Sequence, residues 1–98
     1  MTLTKTQLKH LRSLAHDLKP VVWVGHQGLT DKVLAEIELA LEHHELIKVK
    51  LRLGDRELRD NAINNICKKT QSENIRKIGN IVAIYRGKKK EPVITLPK

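Results

Sequence analysis

Apolar positions in the first part of the chain recur at helical spacing. Leu8, Leu11, Leu14, Ala15 and Leu18 share one face by the i, i+3, i+4, i+7 rule. Thr4 followed by Gln7 forms a capping-box pattern, and Pro20 forces Lys19 out of helical geometry, so a helix is predicted over Lys5–Leu18. The unbroken apolar run Val21–Val24 predicts a short buried strand. A second helix is predicted over Asp31–His43, capped by Thr30, with Val33, Leu34, Ile37, Leu41 and His44 facing the core. Strict alternation follows in Leu46–Leu53, where Ile47, Val49, Leu51 and Leu53 define a packed face and Lys48, Lys50 and Arg52 a basic one. Gly54-Asp55 then opens a third helix, over Asp55–Thr70, with Leu58, Ala62, Ile63 and Ile66 inward. Arg59 projects within that apolar arc, where its stem can be buried and its head can snorkel or pair with a carboxylate. Two further strands, Ile75–Ile78 and Ile81–Arg86, flank the hairpin turn Gly79-Asn80.

The resulting order is α-β-α-β-α-β-β. Helical crossovers imply parallel pairing and the terminal hairpin an antiparallel pair, so the predicted class is α/β, a two-layer sandwich on a four-stranded mixed sheet. With one strand face charged, the helices are expected mainly on one side. The 98 residues suit a single domain spanning 1–98, with 87–98 as a basic tail kept extended by Pro92 and Pro97.

Charge changes this picture from a generic fold to a binding module. The net charge is +8 and the pI about 9.9, which points to a polyanionic partner, although a basic surface also suits solubility or a membrane-facing patch. The charge is unevenly placed: residues 31–46 carry five acids against one base, whereas residues 68–90 carry eight bases against Glu73 alone. In the first helix Lys5, Lys9, Arg12, His16 and Lys19 form one stripe at spacings of four and three. Asp31, Glu38 and Glu42 form an acidic strip on the second helix that should point away from any phosphate. There is no Phe, one Trp and one Tyr, too few aromatics for a multi-base stacking platform. Nucleic acid would therefore be held chiefly by its phosphates and shape.

Between the first strand and the second helix lies Gly25-His26-Gln27-Gly28. Two glycines three apart allow a sharp turn that brings backbone N–H groups near an anion, and the helix just behind adds the positive end of its dipole. Asp31 in that first turn competes with such an anion. Catalytic chemistry is not legible. Cys67 stands alone, so neither an internal disulfide nor a zinc–thiolate cluster can form. His43-His44-Glu45 is the only histidine cluster, and its adjacent side chains diverge on a helix. Ser13 and Ser72 lie in no nucleophile elbow, and no phosphate-loop lysine pair is present. The expectations are no enzymatic activity, no cofactor, no metal, no small-molecule substrate and no membrane partner. No apolar run reaches transmembrane length and the start of the chain is polar, so a cytoplasmic location is expected; the chain is also expected to be a monomer.

Several segments together resemble the CRM domain, the chloroplast RNA splicing and ribosome maturation module, and most closely its bacterial stand-alone YhbY-type form. They are Leu11-Arg12-Ser13-Leu14-Ala15-His16, Pro20-Val21-Val22, Val24-Gly25-His26-Gln27-Gly28-Leu29-Thr30, His43-His44-Glu45-Leu46-Ile47-Lys48-Val49-Lys50, and the ending from Ile78-Gly79 to Ile84-Tyr85-Arg86. The resemblance implies a fold similar to the C-terminal domain of translation initiation factor three. It also implies RNA binding through the Gly-x-x-Gly loop as in KH domains, and association with precursors of the large ribosomal subunit during assembly. His26 departs from the family pattern, which often has a permanently charged residue there.

The expected partner is therefore RNA, specifically ribosomal RNA of large-subunit precursors. Gly25 and Gly28 would shape the loop, and His26 and Gln27 would touch the backbone. Lys5, Lys9, Arg12, His16 and Lys19 would flank it, Lys48 and Lys50 would extend the surface, and Arg86, Lys88, Lys89 and Lys90 would add a basic tail. That tail serves solubility equally well. The alternative is a protein-interaction adaptor in ribosome assembly, docking through the acidic helix or the C-terminal strand. Sequence-independent DNA binding is a third possibility.

Overall fold

The computed structural model describes residues 3–88 and 90–97. Seven elements follow the expected order: helix α1 (Lys5–His16), strand β1 (Pro20–Val24), helix α2 (Asp31–His44), strand β2 (Leu46–Leu51), helix α3 (Arg56–Thr70) and strands β3 (Glu73–Ile78) and β4 (Ile81–Tyr85). Each helix starts at a side-chain cap. Thr4 Oγ1 accepts from the Gln7 N–H at 3.1 Å while Gln7 Oε1 accepts from the Thr4 N–H at 3.0 Å, completing the capping box. Thr30 Oγ1 accepts from the Val33 N–H and Asp55 Oδ1 from the Glu57 N–H. A cap of this kind is worth about 1 kcal/mol. Helix α1 ends at His16, short of the predicted Leu18, and Asp55 precedes α3 as its cap.

The sheet order is β1-β2-β4-β3, with β1 and β2 parallel and the other neighbours antiparallel. The β1–α2–β2 crossover accounts for the parallel pair. The β3–β4 hairpin turns at Gly79, whose φ of +59° is the left-handed value such a turn demands. The class, element order and mixed sheet are those expected.

Two apolar clusters fill the two faces of the sheet. Val22, Val24, Ile47, Val49, Leu51, Val82 and Ile84 meet Ile37 and Leu41 of α2 and Ala62, Ile63 and Ile66 of α3. On the other face Leu11 and Ala15 of α1 pack on Leu46, Ile75, Ala83 and Tyr85. Helices α2 and α3 thus share one side, as expected of most of the helices, but α1 covers the opposite face, so the sheet lies between helical layers and the sandwich has three layers in place of the expected two. The cause is local: β2 and β4 present Leu46, Ala83 and Tyr85 on the face that Lys48 and Lys50 mark as basic, a foothold for one apolar stripe.

Some residues expected to face inward do not. Leu14 and Leu18 are exposed because α1 rests on Leu11 and Ala15 and stops before Leu18. Leu58 is exposed because the first turn of α3 overhangs a cleft beside the Gly25–Gly28 loop. His44 is exposed where the chain turns through Glu45, whose φ is +63°. Arg59 donates from Nη1 to the Leu53 carbonyl at 3.0 Å.

The C-terminal segment folds back on the domain. Ile94 and Leu96 pack on the α1-side cluster, and Gln7 Nε2 donates to the Pro97 carbonyl at 3.1 Å. The buried Glu45 holds this segment from beneath, its two carboxylate oxygens accepting from the Lys88 and Ile94 N–H groups at 2.6 Å each. Among the described residues no helix is long and apolar enough to cross a membrane.

Candidate nucleic-acid interface

Helix α1 lies across the α1-side face at a height set by Leu11 and Ala15, so its next row of side chains overhangs the sheet. A groove opens there, lined by Arg12, Ala15 and His16 of α1, Lys48 of β2, Arg76 and Ile78 of β3, and Ile81 and Ala83 of β4. Its floor is apolar, its rim is cationic, and no carboxylate among the described residues lines it. It runs on into a shallower depression where Lys9, Ser13 and Asp17 join Arg12, His16 and Arg76.

Two of the cations are held in place. Arg12 Nε donates to the Ile75 carbonyl at 3.0 Å, which fixes the guanidinium over β3. Lys48 Nζ lies 3.4 Å from the His16 carbonyl and meets the negative end of the α1 dipole. Arg76 reaches the groove through a register irregularity. β3 shifts against β4 between Asn74 and Arg76, so Ile75 is buried under α1 and Arg76, opposite Ala83, faces the same side. Strict alternation would have put the two on opposite faces. Arg76 is not among the residues expected at the site; its one signal in the sequence is membership of the most basic segment.

Of the residues expected at the site, Lys5, Lys9, Arg12, His16 and Lys19 are all exposed, and Arg12, His16 and Lys48 meet in the groove. Lys50 is half-buried in the next row of the sheet, opposite Ile81 and beside Trp23. Arg86 is placed elsewhere. Its guanidinium donates to Glu38 at 2.7 Å, to the Thr70 carbonyl at 3.0 Å and to Glu42 at 3.4 Å, tying α2 to the end of α3. The acidic strip of α2 is thus partly neutralised from within. Lys88 is engaged through its backbone by Glu45, Lys90 is exposed, and Lys89 lies outside the described residues.

The Gly25–Gly28 loop is a tight turn at the far end of β1, closed by the Gly28 N–H donating to the Gly25 carbonyl at 2.9 Å. Gly28 has φ +75°, a conformation that disfavours any side chain, whereas Gly25 has negative φ and open space around a would-be Cβ. The glycine that this turn requires is therefore Gly28. His26 and Gln27 are exposed at its tip. The cleft beside the loop is lined by Leu53 and by Leu58, Asn61, Asn65 and Lys69 of α3, not by the α1 stripe. Loop and groove are separate features joined by the end of the sheet.

Three helices on a four-stranded mixed sheet, with a cationic groove and a Gly-x-x-Gly turn, define a small α/β module. The chain belongs to the CRS1/YhbY (CRM) domain family, whose model matches residues 3–86. It is 48% identical over 97 residues to a Haemophilus influenzae protein named "RNA-binding protein", covering 99% of this chain and 97% of that one. It is 36% identical over 95 residues to the Bacillus subtilis protein named "Probable RNA-binding protein YqeI", covering 97% of this chain and 99% of the relative. The solution structure of the hypothetical protein SAV1595 from Staphylococcus aureus superposes with a TM-score of 0.83 at 33% identity, covering 98% of this chain and all of the other.

Proposed function

We propose that this chain is a non-catalytic RNA-binding protein that grips structured RNA by its sugar–phosphate backbone. The observation that carries this reading is the convergence of Arg12, His16, Lys48 and Arg76, from one helix and two strands, in a groove that no carboxylate among the described residues lines. Cations over an apolar floor, Arg12 and Lys48 among them anchored, suit phosphates with ribose between them. The Gly25–Gly28 turn offers a second backbone contact through His26 and Gln27, and Lys5, Lys9 and Lys19 widen the attractive field. The names of the relatives support RNA as the polyanion. Likeness to the bacterial stand-alone CRM proteins points to ribosomal RNA in large-subunit precursors, bound during assembly in the cytoplasm.

The adaptor reading draws less support. Glu38 and Glu42 on the acidic helix are engaged by Arg86, and the C-terminal segment lies against its own core. Among the described residues no group of three or more His, Cys, Asp and Glu side chains could hold a metal ion.

The test is crosslinking in cells with sequencing of the bound RNA, comparing the native chain with Gly28→Asp and Gly25→Ala. Gly28→Asp puts a carboxylate into the loop at a strained φ, costing about 1 kcal/mol of fold stability, while Gly25→Ala meets open space. Large-subunit ribosomal RNA should be enriched with the native chain and with Gly25→Ala, and lost with Gly28→Asp while its circular dichroism stays native. Equal recovery with all three chains would remove the loop from the mechanism, and no enrichment of ribosomal RNA would remove the target.

A further inference from the structure

The indole of Trp23 is the least expected group on the α1-side face. Val22 and Val24 are buried toward α2 and α3, so the intervening Trp23 points to the opposite side, where it is 47% exposed. A tryptophan half open on a sheet face forgoes burial that its size would reward, and such rings are enriched at contact surfaces. Helix α1 does not cover it. The helix rests on Leu46, Ile75, Ala83 and Tyr85, which leaves the next row of the sheet open. In register, that row reads Trp23, Lys50, Ile81, Ile78 across β1, β2, β4 and β3. One end of the row lies two residues before Gly25, and the other end enters the groove at Ile81 and Ile78.

The charges around the indole select its partner. Lys50 stands opposite Trp23, Lys48 follows on the same face, and Arg12 and Arg76 lie at the groove end. An apolar protein surface pressed onto Trp23 would desolvate the Lys50 ammonium without compensation. A nucleotide serves both groups, with its base on the ring and its phosphate on the ammonium.

We infer that this open row is a seat for one nucleotide, in which an unpaired RNA base stacks on Trp23 and its phosphate meets Lys50, between the α1 groove and the Gly25–Gly28 turn. The inference rests on the RNA-binding reading of the groove and adds to it a preference for RNA with an unpaired base. One aromatic makes no platform, but it can hold one base. The seat thereby links the two backbone-binding features into a single path across the end of the sheet.

Trp23 is the only tryptophan, so its own fluorescence reports the seat. The full chain is titrated with an RNA hairpin bearing an unpaired purine loop and, separately, with a blunt duplex of the same length. The hairpin should quench the indole emission and the duplex should leave it nearly unchanged. Trp23→Ala should bind the hairpin about tenfold more weakly and Trp23→Phe within about threefold of native, as expected for loss and retention of one stacked base. The dependence of affinity on salt should be the same for all three, because no charge is altered. Hairpin binding with unchanged emission, or Trp23→Ala binding as tightly as native, would overturn the seat and leave the groove intact. Absence of binding to either RNA by the native chain would overturn the seat and the RNA reading together. The emission measurement needs no variant, so it stands even if Trp23→Ala folds poorly. Quenching by a copurifying protein in place of RNA would assign the row to a protein partner and overturn the inference.

Discussion

Tyr85 ends β4 beneath the returning C-terminal segment, buried on the α1 side of the sheet, and a Cβ at Gly87 would come within 2.6 Å of its hydroxyl. Burial, and after it the nearby Glu45 carboxylate, push the phenol above the usual tyrosine value of about 10. An acid whose folded value is raised is stabilising in its neutral form. Its contribution is therefore complete below about pH 10, where the unfolded phenol is also neutral, and is lost as pH rises through the folded value. This is the only tyrosine, so an ultraviolet titration of tyrosinate reads it alone. The midpoint should lie above 10 in the folded chain and return to about 10 in denaturant, with stability declining over the same alkaline window. A folded midpoint at or below 10 would mean that the ring is solvated. Burial likewise pushes the Cys67 thiol up, against a smaller opposing effect of the Ser72 hydrogen bond. That fits a packing residue and not a nucleophile.

The junction of α2 and β2 is held to the C-terminal segment by one side chain. Glu45 adopts φ +63°, closes α2 with its N–H on the Leu41 carbonyl at 2.9 Å, and accepts from the Arg86 N–H through its own carbonyl at 2.8 Å. Its carboxylate takes the Lys88 and Ile94 N–H groups. Glu45→Gln would turn one acceptor oxygen into a donor facing a backbone N–H, at a cost of about 1–3 kcal/mol for the unsatisfied buried pair. Chemical denaturation should show that loss, and hydrogen exchange should quicken at Lys88 and Ile94 before it does in β2 or β4. Unchanged exchange there would show that Ile94 and Leu96 alone seat the segment. This element also marks what the sequence makes legible. The capping box at Thr4 and Gln7, the alternation through β2 and the Gly79 turn are local, each decided by residues a few positions apart, and each could be read directly. Glu45 could not, because its partners lie 43 and 49 positions away and a glutamate at a helix end ordinarily faces water. The β3 irregularity that turns Arg76 into the groove likewise depends on packing under α1, which period-two reasoning does not contain.

Across the whole molecule, net charge overstates the free cations and hides where they lie. Arg86 is engaged by Glu38 and Glu42, and Lys77 pairs with Asp60 on the α3 side. Arg56 and Lys68 are exposed in the first and last turns of α3, on the layer opposite the groove and apart from the cleft beside the loop, while Arg12 and Arg76 both line the groove. Two double variants therefore separate location from total charge, since Arg12→Gln with Arg76→Gln and Arg56→Gln with Lys68→Gln each remove two positive charges. If RNA responds only to the overall field, both lose affinity equally. If phosphates sit in the groove, the first pair should weaken binding at least tenfold at physiological salt. It should also reduce the steepness of log K against log salt by about 1.5, from a native slope of roughly −3 to −5 for about five neutralised phosphates. The α3 pair should change the affinity by less than about threefold and leave the slope nearly native. Arg12 also bonds the Ile75 carbonyl, so thermal melts of both variants must show the fold intact at the binding temperature. Equal losses from two folded variants would make the protein a diffuse polycation, and a loss confined to the groove pair would make α1 and the β3 irregularity the means by which this fold aims its charge.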